Sequence, residues 1–337
     1  MIFLKNDYST GAHPDVLKTL VDNNMTFSDS YSHDGFCTAA EALIRNLINC
    51  PDADVHFMSG GTQTNLVCMS SFMRPYEAVI AADSGHISVH ETGAIEATGH
   101  KCIELPSPDG KILPEQIEKT VAFHNFDQMV LPRVVYISDT TESGSVYTKS
   151  EIKALRDCCR EHGMYLYLDG ARLAMALSAS GNDITFADLP ELVDAFYIGG
   201  TKCGALFGET AVIINDDLKE NFRFNMRQRG ALFAKGMIIG MQFCTLLDNN
   251  LYIRLGEHAN RLALDLAEGI KAKGYNFAYE PESNMIFPIF TNEQAAELAK
   301  EVMFETWLVN DDGTTTIRLV TSWASAQEDI EAFLALI

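Results

Sequence analysis

No apolar run in this sequence approaches the roughly 18–20 residues that a bilayer-spanning helix needs. The opening Met1-Ile2-Phe3-Leu4-Lys5-Asn6-Asp7 lacks a basic region followed by a long apolar stretch, so no secretory signal is expected. None of the eight cysteines (Cys37, Cys50, Cys68, Cys102, Cys158, Cys159, Cys203, Cys244) forms a C-x-x-C pair. Several lie on apolar periodic stretches, where a thiol behaves as a small hydrophobe. Reduced thiols and a cytoplasmic location are expected, and a metal site is not. Basic residues are scarce: Lys and Arg number 25 against 46 Asp and Glu, a net charge of −21. A surface that negative repels phosphate backbones and anionic lipid, which argues against nucleic-acid or membrane-surface partners. Any anionic ligand must be held by local donors. No internal repeat or low-complexity linker interrupts the chain, so its domains are expected to pack on each other.

What is present is a full core: 47% of the 337 residues are hydrophobic and 21% charged. That balance excludes a disordered chain, a collagen-like fibre and a small disulfide scaffold, and leaves two domains or one large α/β unit. From about residue 40, short apolar runs alternate with helical patterns, the mark of βαβ units and a mainly parallel sheet. Seven strands are predicted at 55–59, 78–82, 101–105, 134–138, 165–169, 195–198 and 211–214. Helices are predicted between them at 39–49, 62–73, 89–97, 114–123, 149–162 and 184–192. The stretch Leu206-Phe207-Gly208-Glu209-Thr210 is too short for a crossover helix, so the strands flanking it should be antiparallel. Further helices are expected at 218–229, 236–249 and 252–272. A smaller α+β tail follows, with strands near 285–290 and 315–320 and helices near 293–304 and 326–336. The natural division is a large domain over 36–245 and a small one formed by 1–35 with 246–337.

Three segments carry chemistry, each where a strand should end and a loop begin, the place where open α/β sheets bind ligands. In Ser59-Gly60-Gly61-Thr62-Gln63-Thr64-Asn65, two glycines admit close backbone approach and a helix N-terminus offers free N–H groups, an anion site suited to phosphate. Alone, such a segment also reads as a helix cap after a flexible turn. In Tyr165-Leu166-Tyr167-Leu168-Asp169-Gly170-Ala171-Arg172, a strand-end aspartate is costly to bury without a positive partner. A protonated pyridine nitrogen would serve, as would an internal pair with Arg172. In Phe196-Tyr197-Ile198-Gly199-Gly200-Thr201-Lys202-Cys203-Gly204, a poorly solvated lysine gains a lowered pKa and becomes suited to Schiff-base chemistry. The ordinary fate of a lysine is a solvated loop. The conjunction decides, because phosphate loop, strand-end Asp-x-x-Arg and Gly-flanked lysine are the parts a pyridoxal-phosphate site requires.

With those segments in order, the chain resembles the threonine aldolase branch of the β-eliminating lyases, in the pyridoxal-phosphate superfamily with the aspartate-aminotransferase fold (fold type I). The resemblance runs from Leu4-Lys5-Asn6-Asp7 to Arg318-Leu319-Val320-Thr321. It implies that Lys202 carries the cofactor, with Thr201 beside it as a phosphate contact, and that Asp169 keeps the pyridine nitrogen protonated. Gly61 and Thr62 match the phosphate loop. His86, in Asp83-Ser84-Gly85-His86, matches the histidine that stacks on the ring, and the nearby His90-Glu91-Thr92-Gly93 matches as well. Arg172 and Arg318 resemble the pair that binds the substrate carboxylate, where a guanidinium fork suits a planar anion. Asn6 occupies a position where many members have serine and is expected to donate to that carboxylate.

One departure stands out. Where well-studied members have a histidine near the substrate hydroxyl, the loop here reads Asp139-Thr140-Thr141-Glu142-Ser143-Gly144, which puts Glu142 at that position and opens the substrate preference. The resemblance implies a homodimer or homotetramer with active sites at the subunit interface. Arg223, Arg227, Arg229 and Lys235 are the candidates to reach a neighbour's phosphate. The activity implied is aldol cleavage of L-threonine or L-allo-threonine to glycine and an aldehyde, with His86, Glu142 or an ordered water as base and His86 preferred. A β-eliminase, an aminotransferase and a non-catalytic binding protein with an inherited fold are the alternatives.

Overall fold

Continuous apolar runs such as Ala78-Val79-Ile80-Ala81-Ala82 belong to strands covered on both faces, and the molecule is built around such strands. The computed structural model describes residues 1–337. Its strands are β1 (Ile2–Phe3), β2 (Asp54–Met58), β3 (Glu77–Ala82), β4 (Lys101–Leu105), β5 (Leu131–Ser138), β6 (Tyr165–Asp169), β7 (Ala195–Gly199), β8 (Glu209–Ile213), β9 (Met285–Ile286), β10 (Ile289–Thr291), β11 (Val302–Met303), β12 (Glu305–Val309) and β13 (Thr314–Val320). The large sheet has the order β2-β8-β7-β6-β5-β3-β4. Only β8 runs against its neighbours, pairing Glu209 with both Gly199 and Met58, as the short connection before it required. A smaller antiparallel sheet, β10-β13-β12 with β9 on β13, forms the C-terminal part, and β1 pairs parallel with β11.

Period-2 alternation sorts the large sheet's side chains into two cores. Val55, Ile80, Val135, Leu166, Ile198 and Val212 lie in one. Val79, Tyr136, Tyr167, Tyr197 and Ala211 lie in the other, against Val67 and Cys68 of the helix Gly61–Phe72. Asp169, two residues after Tyr167, therefore points to the tyrosine-lined face. Close approach of β6 and β7 depends on glycine, since a Cβ on Gly170 would lie 1.9 Å from the Tyr197 carbonyl oxygen.

A third core gathers Leu4, Leu262, Leu266, Ile270, Phe290, Ile317 and Phe333. The first 35 residues, assigned from sequence to the small domain, are shared. Leu4 joins this third core, whereas Ala12 and Val16 pack into the large one. The 22-residue helix Leu251–Ala272 is likewise shared, with Leu251, Tyr252, Leu255 and Ala259 in the large core and Leu262 to Ile270 in the small one.

Several predicted elements differ. The helix expected at 89–97 is a single turn at His86–Val89 and a short 3-10 turn at Glu96–Thr98, because Thr92 and Gly93 take left-handed conformations (φ 56° and 70°) between them. The helix expected at 184–192 begins only after Thr185, whose N–H and hydroxyl both donate to Asp188 at 2.8 Å. Pro288 divides the strand expected at 285–290 into β9 and β10. The helix expected at 293–304 stops at Leu298, and β11 and β12 follow. The Asp312-Gly313 turn, with Gly313 at φ 83°, marks the β12–β13 hairpin. The helix Pro14–Asp22 was not anticipated; His13 caps it, with Nδ1 accepting from the Asp15 N–H.

Candidate active site

Loops leaving the C-terminal ends of β2, β3, β5, β6 and β7 meet at one edge of the large sheet. They carry Gly61 and Thr62, His86, Glu142, Asp169 with Arg172, and Lys202, respectively. After β2, the helix Gly61–Phe72 starts without a side-chain cap, and the position of a Cβ on Gly60 is open space. Its first-turn N–H groups and the exposed Thr62 hydroxyl are therefore left for an anion.

Asp169 is almost fully buried. Oδ1 accepts from the Ala171 N–H at 2.9 Å, and Oδ2 accepts from Asn65 Nδ2 at 2.9 Å and from the Tyr136 hydroxyl. Burial opposes ionisation, but His86 and the hydrogen bonds from Tyr136, Tyr197 and Asn65 hold the carboxyl below its ordinary value. His86 Nδ1 lies 2.8 Å from Glu91 Oε1. Burial works against the imidazolium, yet Glu91, Glu142 and Asp169 raise the His86 pKa above its ordinary value.

Lys202 lies in the β7–β8 hairpin loop. The Gly200 N–H is shared between the Gly208 carbonyl at 3.1 Å and Glu209 Oε2 at 2.8 Å, and Gly204 and Gly208 take positive φ (87° and 120°). Burial and the Arg172 guanidinium pull the Lys202 pKa below the ordinary lysine value, against Asp7, Glu142 and Asp169. Thr201 is turned into the loop, its hydroxyl accepting from the Gly208 N–H at 3.1 Å. Beneath it, burial pushes Glu209 up to about 7 against hydrogen bonds from Thr201 and Gly200 and the charge of Lys202. With a folded pKa above the ordinary 4.5, the folded state takes up a proton between those values. Glu209 therefore contributes stability below about pH 4.5 that is lost as pH rises through about 7. Glu209→Gln is expected to flatten this dependence, read as urea midpoints at pH 5 and pH 8; an unchanged difference between them would contradict it.

Arg172 does not face the cleft alone. Its Nε and Nη2 donate to Asp7 at 2.7 and 3.1 Å, and Asn284 Nδ2 donates to the same carboxylate at 3.0 Å. Burial would raise the Asp7 pKa, but Arg172, Lys202 and Asn284 hold it below the ordinary value. Arg318 is buried on β13; its Nη2 pairs with Glu305 Oε2 and its Nε has no partner. The charges of Glu305, Arg318 and Glu142 all act on His90, whose ring is 5.5 Å from that of His86. The buried Glu142 likewise acts on Lys202, Arg172 and His86, so the position singled out by its departure faces the cleft. Asn6 uses its side-chain carbonyl within its own turn, accepting from the Tyr8 N–H and the Ser9 hydroxyl.

Among the four basic candidates, Arg223 is committed to the Tyr31 carbonyl and His33, and Arg227 lies over the Tyr31 ring at 4.6 Å. Arg229 has an unpartnered Nε, and Lys235 is exposed. Sequence reasoning missed Asp7, Asn65, Glu91, Tyr136 and Glu209 as site residues. Asp7, Asn65 and Glu91 lie in the segments that carry the resemblance or the phosphate loop, and Glu209 in the connection 206–210 read only for its length. Tyr136 had no signal beyond its strand position.

This fold, with a strand-end aspartate and a loop lysine at one sheet edge, defines the aspartate-aminotransferase-like class, fold type I. A Thermus thermophilus aspartate aminotransferase double mutant matches it with a TM-score of 0.74 at 16% identity, over 100% of this chain and 90% of that one. The chain belongs to the β-eliminating lyase family, a pyridoxal-phosphate-dependent lyase family whose model matches residues 6–293. It is 48% identical to a threonine aldolase of Leishmania major, with a TM-score of 0.98 over 100% of this chain and 98% of that one. A low-specificity L-threonine aldolase of Pseudomonas aeruginosa is 29% identical over 95% of this chain and 92% of its own length. No helix is long and apolar enough to cross a membrane.

Proposed function

We propose that this chain is a pyridoxal-phosphate-dependent aldolase that cleaves L-threonine or L-allo-threonine to glycine and an aldehyde. The observation that carries the reading is the cleft itself, where a Lys202 amine of lowered pKa lies within the fields of Asp169, Arg172 and Glu142. The cofactor fits the residues present. An uncapped helix start suits its phosphate, a buried Ser84 hydroxyl lacks a partner, and Asp169 is held ionised for a ring nitrogen. Homologues bearing the threonine aldolase name over nearly the full chain support the substrate class.

Bound through Lys202, the cofactor supplies an electron sink for the pair released when the Cα–Cβ bond breaks. The Gly61 N–H and the Thr62 N–H and hydroxyl would donate hydrogen bonds to its phosphate. Asp169, held ionised, would keep a proton on the ring nitrogen, and His86 would contact the ring. Arg172, held by Asp7, and Arg318, once released from Glu305, would grip the substrate carboxylate and so orient the bonds at Cα. His86 Nε2 accepts the β-hydroxyl proton; Glu142 is the second group able to take it. Eight free cysteines support a reducing cytoplasmic setting, and Arg229, with its unpartnered Nε, and the exposed Lys235 are the two basic candidates left to meet a neighbour's phosphate in a homodimer or homotetramer.

Incubation with L-threonine and L-allo-threonine is expected to give glycine and acetaldehyde in equal amounts. A keto acid or ammonia as the main product would assign the site to transamination or elimination instead.

A further inference from the structure

The Glu91 side chain is fully buried, yet Oε2 has no hydrogen-bond partner while Oε1 carries two. An ionised carboxylate is costly to bury in that state. The backbone around it is also constrained: the next residue, β-branched Thr92, takes φ 56°, a conformation that such residues rarely adopt. The two costs fall on adjacent residues of one turn, and neither serves the hydrophobic core.

Oε1 lies 2.8 Å from His86 Nδ1 and accepts from Asn65 Nδ2, also at 2.8 Å. Asn65 Nδ2 donates its second hydrogen to Asp169 Oδ2 at 2.9 Å. The amide is not free to turn over, because Asn65 Oδ1 accepts from the Tyr167 hydroxyl at 3.2 Å. A single carboxylate oxygen thus joins His86, through Asn65, to Asp169. A carboxylate has no proton to give, so His86 must present Nδ1–H to it, which leaves Nε2 for the cleft.

We propose that Glu91 is a positioning residue of the active site, its Oε1 fixing His86 in the Nδ1–H form and, through Asn65, fixing the Asp169 carboxylate. The assignment rests on the reading of His86 as proton acceptor given above. Its geometry is that of a carboxylate orienting a catalytic imidazole. Glu91 stabilises the imidazolium formed when Nε2 takes up a proton, and by holding Asn65 it keeps a neutral donor between the two anions. Removing its charge acts on the proton acceptor and on the counter-ion of the electron sink together.

The charges that face His86 are Glu91 from its own loop, Glu142 from the loop after β5, Asp169 from β6 and Lys202 from the β7–β8 loop, with His90 beside it. Only the first is altered in Glu91→Gln. In the holoenzyme labelled with 15N-histidine, the His86 signal is expected to titrate about one unit or more lower in Glu91→Gln than in the wild type, the size of effect a neighbouring charge exerts. The acid limb of kcat/KM should move with it, and kcat should fall roughly 10- to 100-fold, as when an outer-shell partner is lost. Glu91→Asp restores the charge and should return the titration toward the wild-type value. A His86 titration unmoved in Glu91→Gln overturns the proposal.

A second readout needs no variant and survives a failure of Glu91→Gln to fold. Above its pKa, wild-type His86 should show Nδ1 protonated and Nε2 bare; the opposite tautomer overturns the proposal. The tautomer is read without turnover, so failure of the aldolase reading would appear in product analysis and leave this test standing.

Discussion

Replacing Lys202 by alanine is expected to abolish covalent cofactor attachment and to lower the cleavage rate at least ~10³-fold. The cause is local. Lys202 is the one amine that the β7–β8 loop delivers to the cleft, and its lowered pKa leaves more of it as the free nucleophile at neutral pH. The Gly200 N–H bonds to Gly208 and Glu209 that shape the loop do not involve the lysine side chain, so the fold should persist. The measurements are the visible absorption of protein loaded with pyridoxal phosphate, the borohydride-stable incorporation of the cofactor, and aldehyde release. A variant that stays yellow and fixes cofactor on borohydride treatment would show that another amine carries it.

Asp7→Ala should give the second large effect, and it acts first on stability. Asp7 and Arg172 are both buried, with side-chain exposures of 0% and 5%, so the truncation strands a guanidinium in the interior. Breaking such a pair from one side costs about 3–5 kcal/mol. The sign with pH follows from the lowered Asp7 pKa. Its stabilisation is fully present above the ordinary carboxylate range and is lost as pH falls through the folded value. The gap in urea midpoints between wild type and variant should therefore be wide at pH 7 and shrink in acid. KM for the amino acid should also rise, since Arg172 loses the partner that aims its fork. A variant with wild-type stability and KM would mean that Asp7 neither balances nor orients Arg172.

The large sheet was readable because its strands are either apolar throughout, like β3, or carry a clear end signal, like Asp169 in β6. The antiparallel β8 was legible from loop length alone. The errors fall where tertiary pairing overrides local pattern. Glu305–Val309 is an edge strand, largely exposed along one side, and only pairing with β13 makes it a strand. The residues 89–97 keep helical spacing, but the left-handed Thr92–Gly93 turn breaks them and carries Glu91 into the site. Lys202, Asp169 and His86 stand at strand ends or in glycine turns, where sequence marks them. Asp7 meets Arg172 across 165 positions of chain, and Tyr136 reaches Asp169 from the neighbouring strand. Such partners are set by topology, which short-range spacing does not encode.

The helix Leu251–Ala272 begins in one core and finishes in the other with no hinge of its own. At about 1.5 Å per residue it is a strut roughly 33 Å long. Loss of order in the C-terminal lobe must then strip support from the Leu173–Leu177 segment beside Arg172, against which Gly256 and Asn260 are seated. The two lobes should melt in one step, and damage remote from the cleft should register first as a weakened grip on the amino acid.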